Sequence, residues 1–395
     1  MTRSFLRSGL RRLYRSLWPV EPVRSAYLTD AFPAAVPHVL LKGESVPTPE
    51  TSTMNLDPFA SYVKAPAYWA PEVVTAPLRD ALYCPVNDCL LNADRVVVNE
   101  STGPGARAAG LDPSALNRSA VEHVDGVWTA LRCPFNDFYH FLIDNLSRLD
   151  LLNDPYFRQF DVINVFSPGG PTELESYFFD KLSLPNVRLV TVTPDRLYQP
   201  ETYLFTSFIT KRASGYVRGS FVDRLRQAVA SSPETTPYAS ERIYISRQNA
   251  VSRRVLNEEE LIDALSPLGF TAYRLEELPI DEQIRLFEHA ECVVSPHGAG
   301  LANLLFAPSA SVVEAFGSRF VTPHYYLLAK ALGLPYRYVC SHSDDRNADM
   351  RVEVDHFRFL VEQQLEERQR TCSNTPIPRT STVRSSSQAA PLAEA

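Results

Sequence analysis

Glu291-Cys-Val-Val-Ser-Pro-His-Gly-Ala-Gly-Leu-Ala-Asn-Leu-Leu-Phe306 sets the architecture of this chain. Cys292 to Ser295 is an apolar run that reads as a buried strand. Pro296-His297-Gly298-Ala299-Gly300 turns the chain, and Leu301, Leu304 and Leu305 follow at helical spacing. A strand, a glycine turn and a helix start aim unpaired N–H groups and the positive helix end at one place. The glycines let a ligand approach the backbone closely. The expectation is a site for a phosphorylated ligand.

Around this stretch the chain alternates. Strands are expected at Arg242 to Ser246, Phe270 to Arg274, Cys292 to Ser295, Ser311 to Phe316 and Tyr336 to Cys340. Helices fall between them: Asn257 to Leu268, Asp281 to His289, the segment after Gly300, and His324 to Leu332. Asn257 suits an N-cap with Glu260 completing a capping box, and Gly269 suits a helix stop. Five strands alternating with helices imply a parallel, doubly wound sheet over 241–345. Ligands of such sheets sit at the carboxyl ends of the strands. Arg247 follows the first strand, with Arg253 and Arg254 in the same loop. His297 follows the third, and Glu314 lies near the end of the fourth.

Upstream, 80–232 reads as another α/β region. Its strands are Val121 to Leu131, Asp161 to Phe166, Val187 to Val192 and Tyr203 to Ile209. Its helices are Asp137 to Leu152, Glu173 to Leu182 and Ser220 to Ala230. Residues 21–79 are proline-rich without a period, which predicts irregular wrapping; 231–240 reads as a linker. A last helix is expected over 352–368, followed by a disordered Ser/Thr/Arg-rich tail from 371 to 395.

The chain has 395 residues, 45% apolar and 22% charged, enough for two domains with sizeable cores. A net charge of -7 argues against nucleic acid as a partner. The six cysteines form no CxxC pair, which suits free thiols in a reducing compartment; only Cys84 and Cys89 are spaced for a local disulfide. Within 1–20, Leu6, Leu10, Leu13, Tyr14 and Leu17 share one face of a helix and Arg11, Arg12 and Arg15 the other, which suits an anionic membrane surface, docking on the protein itself, or a disordered basic leader. No spanning segment or secretory signal is read, so the expected location is cytoplasmic, with peripheral contact at the inner face of the plasma membrane.

The second α/β region resembles glycosyltransferase family 61. The residues that carry the resemblance are Tyr244-Ile-Ser-Arg247, Arg253-Arg-Val-Leu-Asn257-Glu-Glu, Glu282-Gln283, His297-Gly-Ala-Gly-Leu-Ala-Asn303-Leu-Leu-Phe306 and Val313-Glu314. In the first region, Phe135-Asn136-Asp-Phe-Tyr-His140-Phe-Leu-Ile-Asp144 resembles the family's Asn-x-x-His-x-x-x-Asp helix. Two departures are visible: Asp137 and Phe138 lengthen the spacing from Asn136 to His140, and Ala302 stands where the family often has Thr. The resemblance implies two facing Rossmann-like domains of the GT-B type and a final helix returning to the first domain. It also implies a nucleotide-sugar donor and transfer with inversion to a glycan or glycoconjugate hydroxyl, as in bacterial surface polysaccharide synthesis.

That chemistry has two demands. The departing diphosphate gathers negative charge, which a metal or fixed donors and cations must meet. No Asp-x-Asp occurs, so no metal and no cofactor beyond the co-substrate is expected. The donor-side candidates are Arg247, Arg253, His297, Gly298, Ala299, Gly300, Asn303 and Glu314. Arginine grips phosphate oxygens in pairs; Glu314 suits the ribose hydroxyls, and Asn303 suits a tie between the turn and a neighbouring strand. The acceptor hydroxyl needs a base. His140 and Asp144 share a helix face, and either suits that role with the other orienting it; Asp137 suits a helix N-cap. An esterase lacks its Gly-x-Ser-x-Gly elbow here, and a dehydrogenase lacks the third glycine. A non-catalytic nucleotide-sugar-binding protein or a scaffold in polysaccharide assembly is the remaining alternative.

Overall fold

In the computed structural model the described residues are 23–47, 67–103, 110–118, 120–133, 135, 137–210, 214–230, 242–343 and 347–374. The expected amphipathic segment 1–20, the 231–240 linker, Asn136 and the tail beyond 374 lie outside them. No helix among the described residues is long and apolar enough to cross a membrane.

Five parallel strands form the second sheet, in the spatial order Phe270–Tyr273, Arg242–Ile245, Cys292–Pro296, Ser311–Gly317, Tyr336–Ser341. Every residue of Cys292–Pro296 and Ser311–Gly317 is buried. That fits strands covered on both faces, whose sequences run apolar without alternation. Their side chains still divide by parity. Val293 and Val312 join one core, while Val294 and Val313 join another beneath the last helix. The chain order 2-1-3-4-5 reverses between Arg242–Ile245 and Cys292–Pro296. Such a switch point opens a crevice at the carboxyl ends of the two strands.

A ten-stranded sheet precedes it. Leu197–Thr206, Val121–Thr129, Ile163–Pro168 and Val187–Val192 are parallel neighbours, and Val73–Leu78 extends the sheet antiparallel. Parts of the region expected to be irregular are therefore strands: His38–Leu41 pairs with Val73–Leu78, and Glu44–Pro47 with Ala67–Ala70. Their prolines and short lengths hide the pairing, which long-range partners impose. Cys84 and Cys89 face each other across a hairpin as free thiols.

One hydrophobic core joins the two sheets. It includes Leu142 and Leu146 from the first region and Leu301, Leu304 and Tyr325 from the second. Phe178 stacks on Phe306 with centroids 6.2 Å apart. From helix Gly219–Val229, Arg226 donates to the carbonyls of Leu305 and Ala307, each at 2.7 Å.

Three expectations need correction. The segment after the glycine turn, Ala299–Phe306, is a 3-10 helix instead of an α-helix. Asn303 donates to the Gln283 side-chain oxygen at 3.0 Å, and Arg226 takes carbonyls at the far end, so tertiary bonds hold the tighter coil. Asn257 stands at the N-cap of Glu258–Leu265 without the capping box. Its amide instead exchanges hydrogen bonds with the backbone of Val352, at 2.9 and 3.0 Å. The last helix, Val354–Asn374, does not return to the first region over its described side chains. Phe357, Val361 and Leu365 pack with Tyr244, Leu261 and Val294 against the second sheet.

Candidate functional site

The switch point gathers the donor-side candidates. Arg247 leaves the end of Arg242–Ile245, and His297 and Gly298 leave the end of Cys292–Pro296. A Cβ on Gly298 would lie 2.0 Å from the Arg247 Nη1 and 2.7 Å from its Cζ. Glycine here makes room for a guanidinium laid over the turn, where the sequence suggested room for phosphate. Gly300 fits against packing: its Cβ would sit 3.0 Å from Leu275 and 3.3 Å from Ile245. The His297 N–H is already spent on the Ala315 carbonyl, at 2.8 Å. The 3-10 coil begins with Ala299 and Gly300, whose N–H groups have no partner within that coil.

Glu258 holds the Arg247 loop. It accepts from the Tyr244 hydroxyl at 3.0 Å, the Ser246 hydroxyl at 2.8 Å and the Arg247 N–H at 3.1 Å. Its place directly after the cap masked this role in the sequence. Arg253 lies in the same loop with φ +58°, a left-handed backbone that costs a non-glycine residue about 1–2 kcal/mol. Its N–H is tied to the Asn347 carbonyl at 2.9 Å, and its guanidinium lies 4.9 Å from the Phe320 ring centroid. Arg254 turns away to Asp349, at 2.7 Å. Arg247 and Arg253 each carry a buried Nε without a hydrogen-bond partner among the described residues. Burial, then the charge of Arg253, lowers the pKa of Arg247. Two cations in one loop, each with a donor unspent, form a cradle for an anion.

His297 stands behind the cradle, almost fully buried. Its Nδ1 lies 2.5 Å from Glu314 Oε1, and Tyr336 donates to the other Glu314 oxygen. Burial, then Arg253 and Arg247, pushes the His297 pKa well down. Burial pushes that of Glu314 well up. One proton bridges Nδ1 and Oε1, and Nε2 points the other way, 3.5 Å from the Thr322 hydroxyl. Glu314 is fully buried and committed to His297 and Tyr336, so it is not placed for ribose. Asn303 is also fully buried. It ties the turn to helix Ile280–Glu288 through Gln283 at 3.0 Å, instead of to a strand, and does not reach the cradle.

The second cluster sits on the helix that follows Val121–Thr129. Asp137 caps it by accepting from the His140 N–H at 3.1 Å. The helix relaxes into a π-turn over Phe141–Asn145 before resuming at Leu146–Leu151. Such π-turns recur at functional sites. Buried Arg148 pins the turn to the carbonyls of Leu131 and Thr206, at 2.9 and 2.8 Å. His140 Nδ1 lies 2.6 Å from Asp144 Oδ2. Ser214 donates to both Asp144 oxygens, at 2.8 and 2.9 Å, and accepts from Tyr139 at 3.1 Å. Asp144 is fully buried, whereas the His140 side chain keeps 16% of its surface exposed. Burial works against a charge on His140, but the hydrogen bond and charge of Asp144, with Asp137, outweigh it and raise the pKa. The sequence left open which of the two meets substrate; only His140 has a face free to do so.

Aromatic rings connect the clusters. Tyr139 meets His140 edge-on at 5.1 Å, stacks on His324 at 5.2 Å and meets Tyr325 at 5.3 Å. His297 lies 5.2 Å from Tyr325 and 6.2 Å from His324. Ser214 and His324 escaped the sequence reading, because neither sits in a motif. Among the described residues no three His, Cys, Asp or Glu side chains converge as metal ligands.

Residues 138–313 match the family model described as Glycosyltransferase 61. A β-1,2-xylosyltransferase of Arabidopsis thaliana is 31% identical over 100 residues, which is 22% of this chain and 19% of that protein. EGF domain-specific O-linked N-acetylglucosamine transferases show similar values. That of Gallus gallus is 31% identical over 24% of this chain and 19% of its own length. That of Drosophila melanogaster is 33% identical over 24% and 18%. The chain thus covers about a fifth of the length of these relatives.

Proposed function

We propose that this chain, which carries a glycosyltransferase 61 region over residues 138–313, moves a sugar from a nucleotide donor to a hydroxyl of a glycan or glycoconjugate. The observation that carries the proposal is the joining of two half-sites. A guanidinium cradle at a topological switch point is linked through Tyr139, His324 and Tyr325 to a His–Asp pair.

Each half-site serves one end of the reaction. Arg247, Arg253 and the first amides of the 3-10 coil face the diphosphate and stabilise the charge that grows on it. His140 Nδ1–H donates to Asp144, which leaves Nε2 to accept a proton. The acceptor hydroxyl gives its proton to Nε2 as its oxygen bonds to the anomeric carbon. The carbon–oxygen bond to the diphosphate breaks, and its electron pair leaves with the phosphate. Asp144 orients the imidazole and stabilises the imidazolium, and Ser214 holds Asp144. A single displacement inverts the anomeric centre. It suits a site in which the carboxylate bonded to the base is sealed behind Ser214 and His140. The two guanidiniums supply the charge that a metal ion would otherwise bring. The two sheets, joined along one core, fit a GT-B arrangement, and the names of the matched relatives support transfer of N-acetylglucosamine or xylose.

The test is release of nucleoside diphosphate from UDP- and GDP-sugars, with and without hydroxylated acceptors, in the wild type and in Arg253→Ala. Acceptor-dependent release that Arg253→Ala cuts at least tenfold supports the proposal. Tight binding of a sugar nucleotide with no release under any acceptor leaves a binding protein instead. Release indifferent to Arg253→Ala removes the cradle from the mechanism.

A further inference from the structure

His324 belongs to neither half-site as described, and it lies beyond the residues the family model matches. It opens helix His324–Ala331, directly after Pro323. Its ring stacks on Tyr139 from the first region, with centroids 5.2 Å apart and an interplanar angle of 13°. The His297 ring of the second region lies 6.2 Å away. Its backbone is fixed as well. Gly215 has φ +123°, and a Cβ there would lie 2.2 Å from the His324 carbonyl oxygen, so the loop that carries Ser214 is pressed against it. Neither ring nitrogen makes a hydrogen bond among the described residues. An imidazole stacked on Tyr139, still partly exposed and unspent in hydrogen bonding, is poised for something outside the protein.

We propose that His324 is a substrate-contacting residue whose ring nitrogen hydrogen-bonds a hydroxyl of the sugar being transferred. The inference rests on the glycosyl-transfer reading above. In that reaction the sugar is joined to the diphosphate on one side and meets the acceptor oxygen on the other. It therefore lies between the Arg247–Arg253 cradle and His140, and His324 packs on Tyr139, the neighbour of His140, and beside His297, which stands behind the cradle. Burial, helped by His297, His140 and Arg253, lowers its pKa to about 3. The ring is neutral in ordinary buffers, with one nitrogen donating and one accepting. That suits a hydroxyl, which can answer either, and gives no grip on phosphate.

Phosphate and sugar contacts separate in a binding experiment. His324→Phe keeps an aromatic ring on Tyr139 and removes both nitrogens; His324→Gln keeps a donor and an acceptor. Calorimetric titration would compare UDP with UDP-N-acetylglucosamine and UDP-xylose, and GDP with GDP-mannose. For the pair that the wild type binds, His324→Phe should leave the nucleoside diphosphate affinity within twofold and weaken the sugar nucleotide about tenfold, equivalent to about 1.4 kcal/mol. His324→Gln should recover part of that loss. If His324→Phe does not fold, His324→Leu against His324→Gln makes the same comparison. Unchanged affinity for both ligands, or equal loss of both, overturns the inference. A wild-type chain that binds neither class of ligand overturns the glycosyl-transfer reading itself.

Discussion

Arg247 lies in the space that a side chain on Gly298 would occupy, with Nη1 2.0 Å from the position of the missing Cβ. Two loops from neighbouring strands thus share one volume, and the guanidinium stays over the turn only because residue 298 has no side chain.

Gly298→Ala should therefore be a selective lesion. The backbone there has φ -177°, which any residue adopts, and the atoms in the way belong to the end of a flexible side chain. The melting temperature should stay within about 3 °C of the wild type, whereas the affinity for nucleoside diphosphate should fall about tenfold, roughly the worth of one charge-assisted hydrogen bond. Unaltered affinity would show that Arg247 need not lie over the turn.

Arg253→Gly separates stability from binding in another way. The left-handed backbone at +58° suits glycine, and the substitution removes a cation from beside Arg247. Loss of the Phe320 contact and the freer unfolded chain work against it. Folding stability should change by less than about 1 kcal/mol, while diphosphate affinity drops at least tenfold. Thermal unfolding and calorimetric titration on one preparation would show both.

The pH profile should report His140. Its folded pKa is raised, so as a base it works only once the pH climbs through a value above the usual 6.5. Turnover should rise with pH along that limb. Asp144→Asn removes the charge that raises the pKa. The limb should then move to lower pH while the plateau rate falls at least a hundredfold, because the amide no longer holds the required tautomer. A limb that stays in place would assign the titration to another group.

Acid should weaken the fold through His324. Burial lowers its pKa to about 3. Between 6.5 and that value the unfolded chain binds a proton that the folded chain does not, so its contribution to stability is full above 6.5 and is lost as the pH falls. The lowered pKa of His297 is offset by the raised one of Glu314 bonded to it, and His140, with a raised pKa, works in the opposite direction. From pH 7 to pH 5 the urea midpoint of the wild type should decline relative to that of His324→Phe. Equal slopes would exclude His324 from the effect.

Much of the second sheet was legible as local pattern. The run from Cys292, the glycine turn and the alternating helices follow from apolar spacing and backbone freedom, which neighbouring residues carry. The spacing of His140 and Asp144 on one helix was legible for the same reason. The strands between Ser25 and Leu78 were not, because their partners lie far along the chain, as Thr75 pairs with Thr206. Glu258 was hidden because the same position suits an ordinary first helical turn.

The amino-acid sequence alone determined the elements on which His140, Asp144, Arg247, Arg253 and His297 stand, since these depend on short-range periodicity and residue type. Tertiary structure decided what each of them touches. The 2-1-3-4-5 strand order brings Arg247 beside Gly298, and the common core brings Tyr139 onto His324. Burial commits Glu314 to His297, and Ser214 closes off Asp144. Those relationships come from packing and desolvation between distant segments, and no local spacing encodes them.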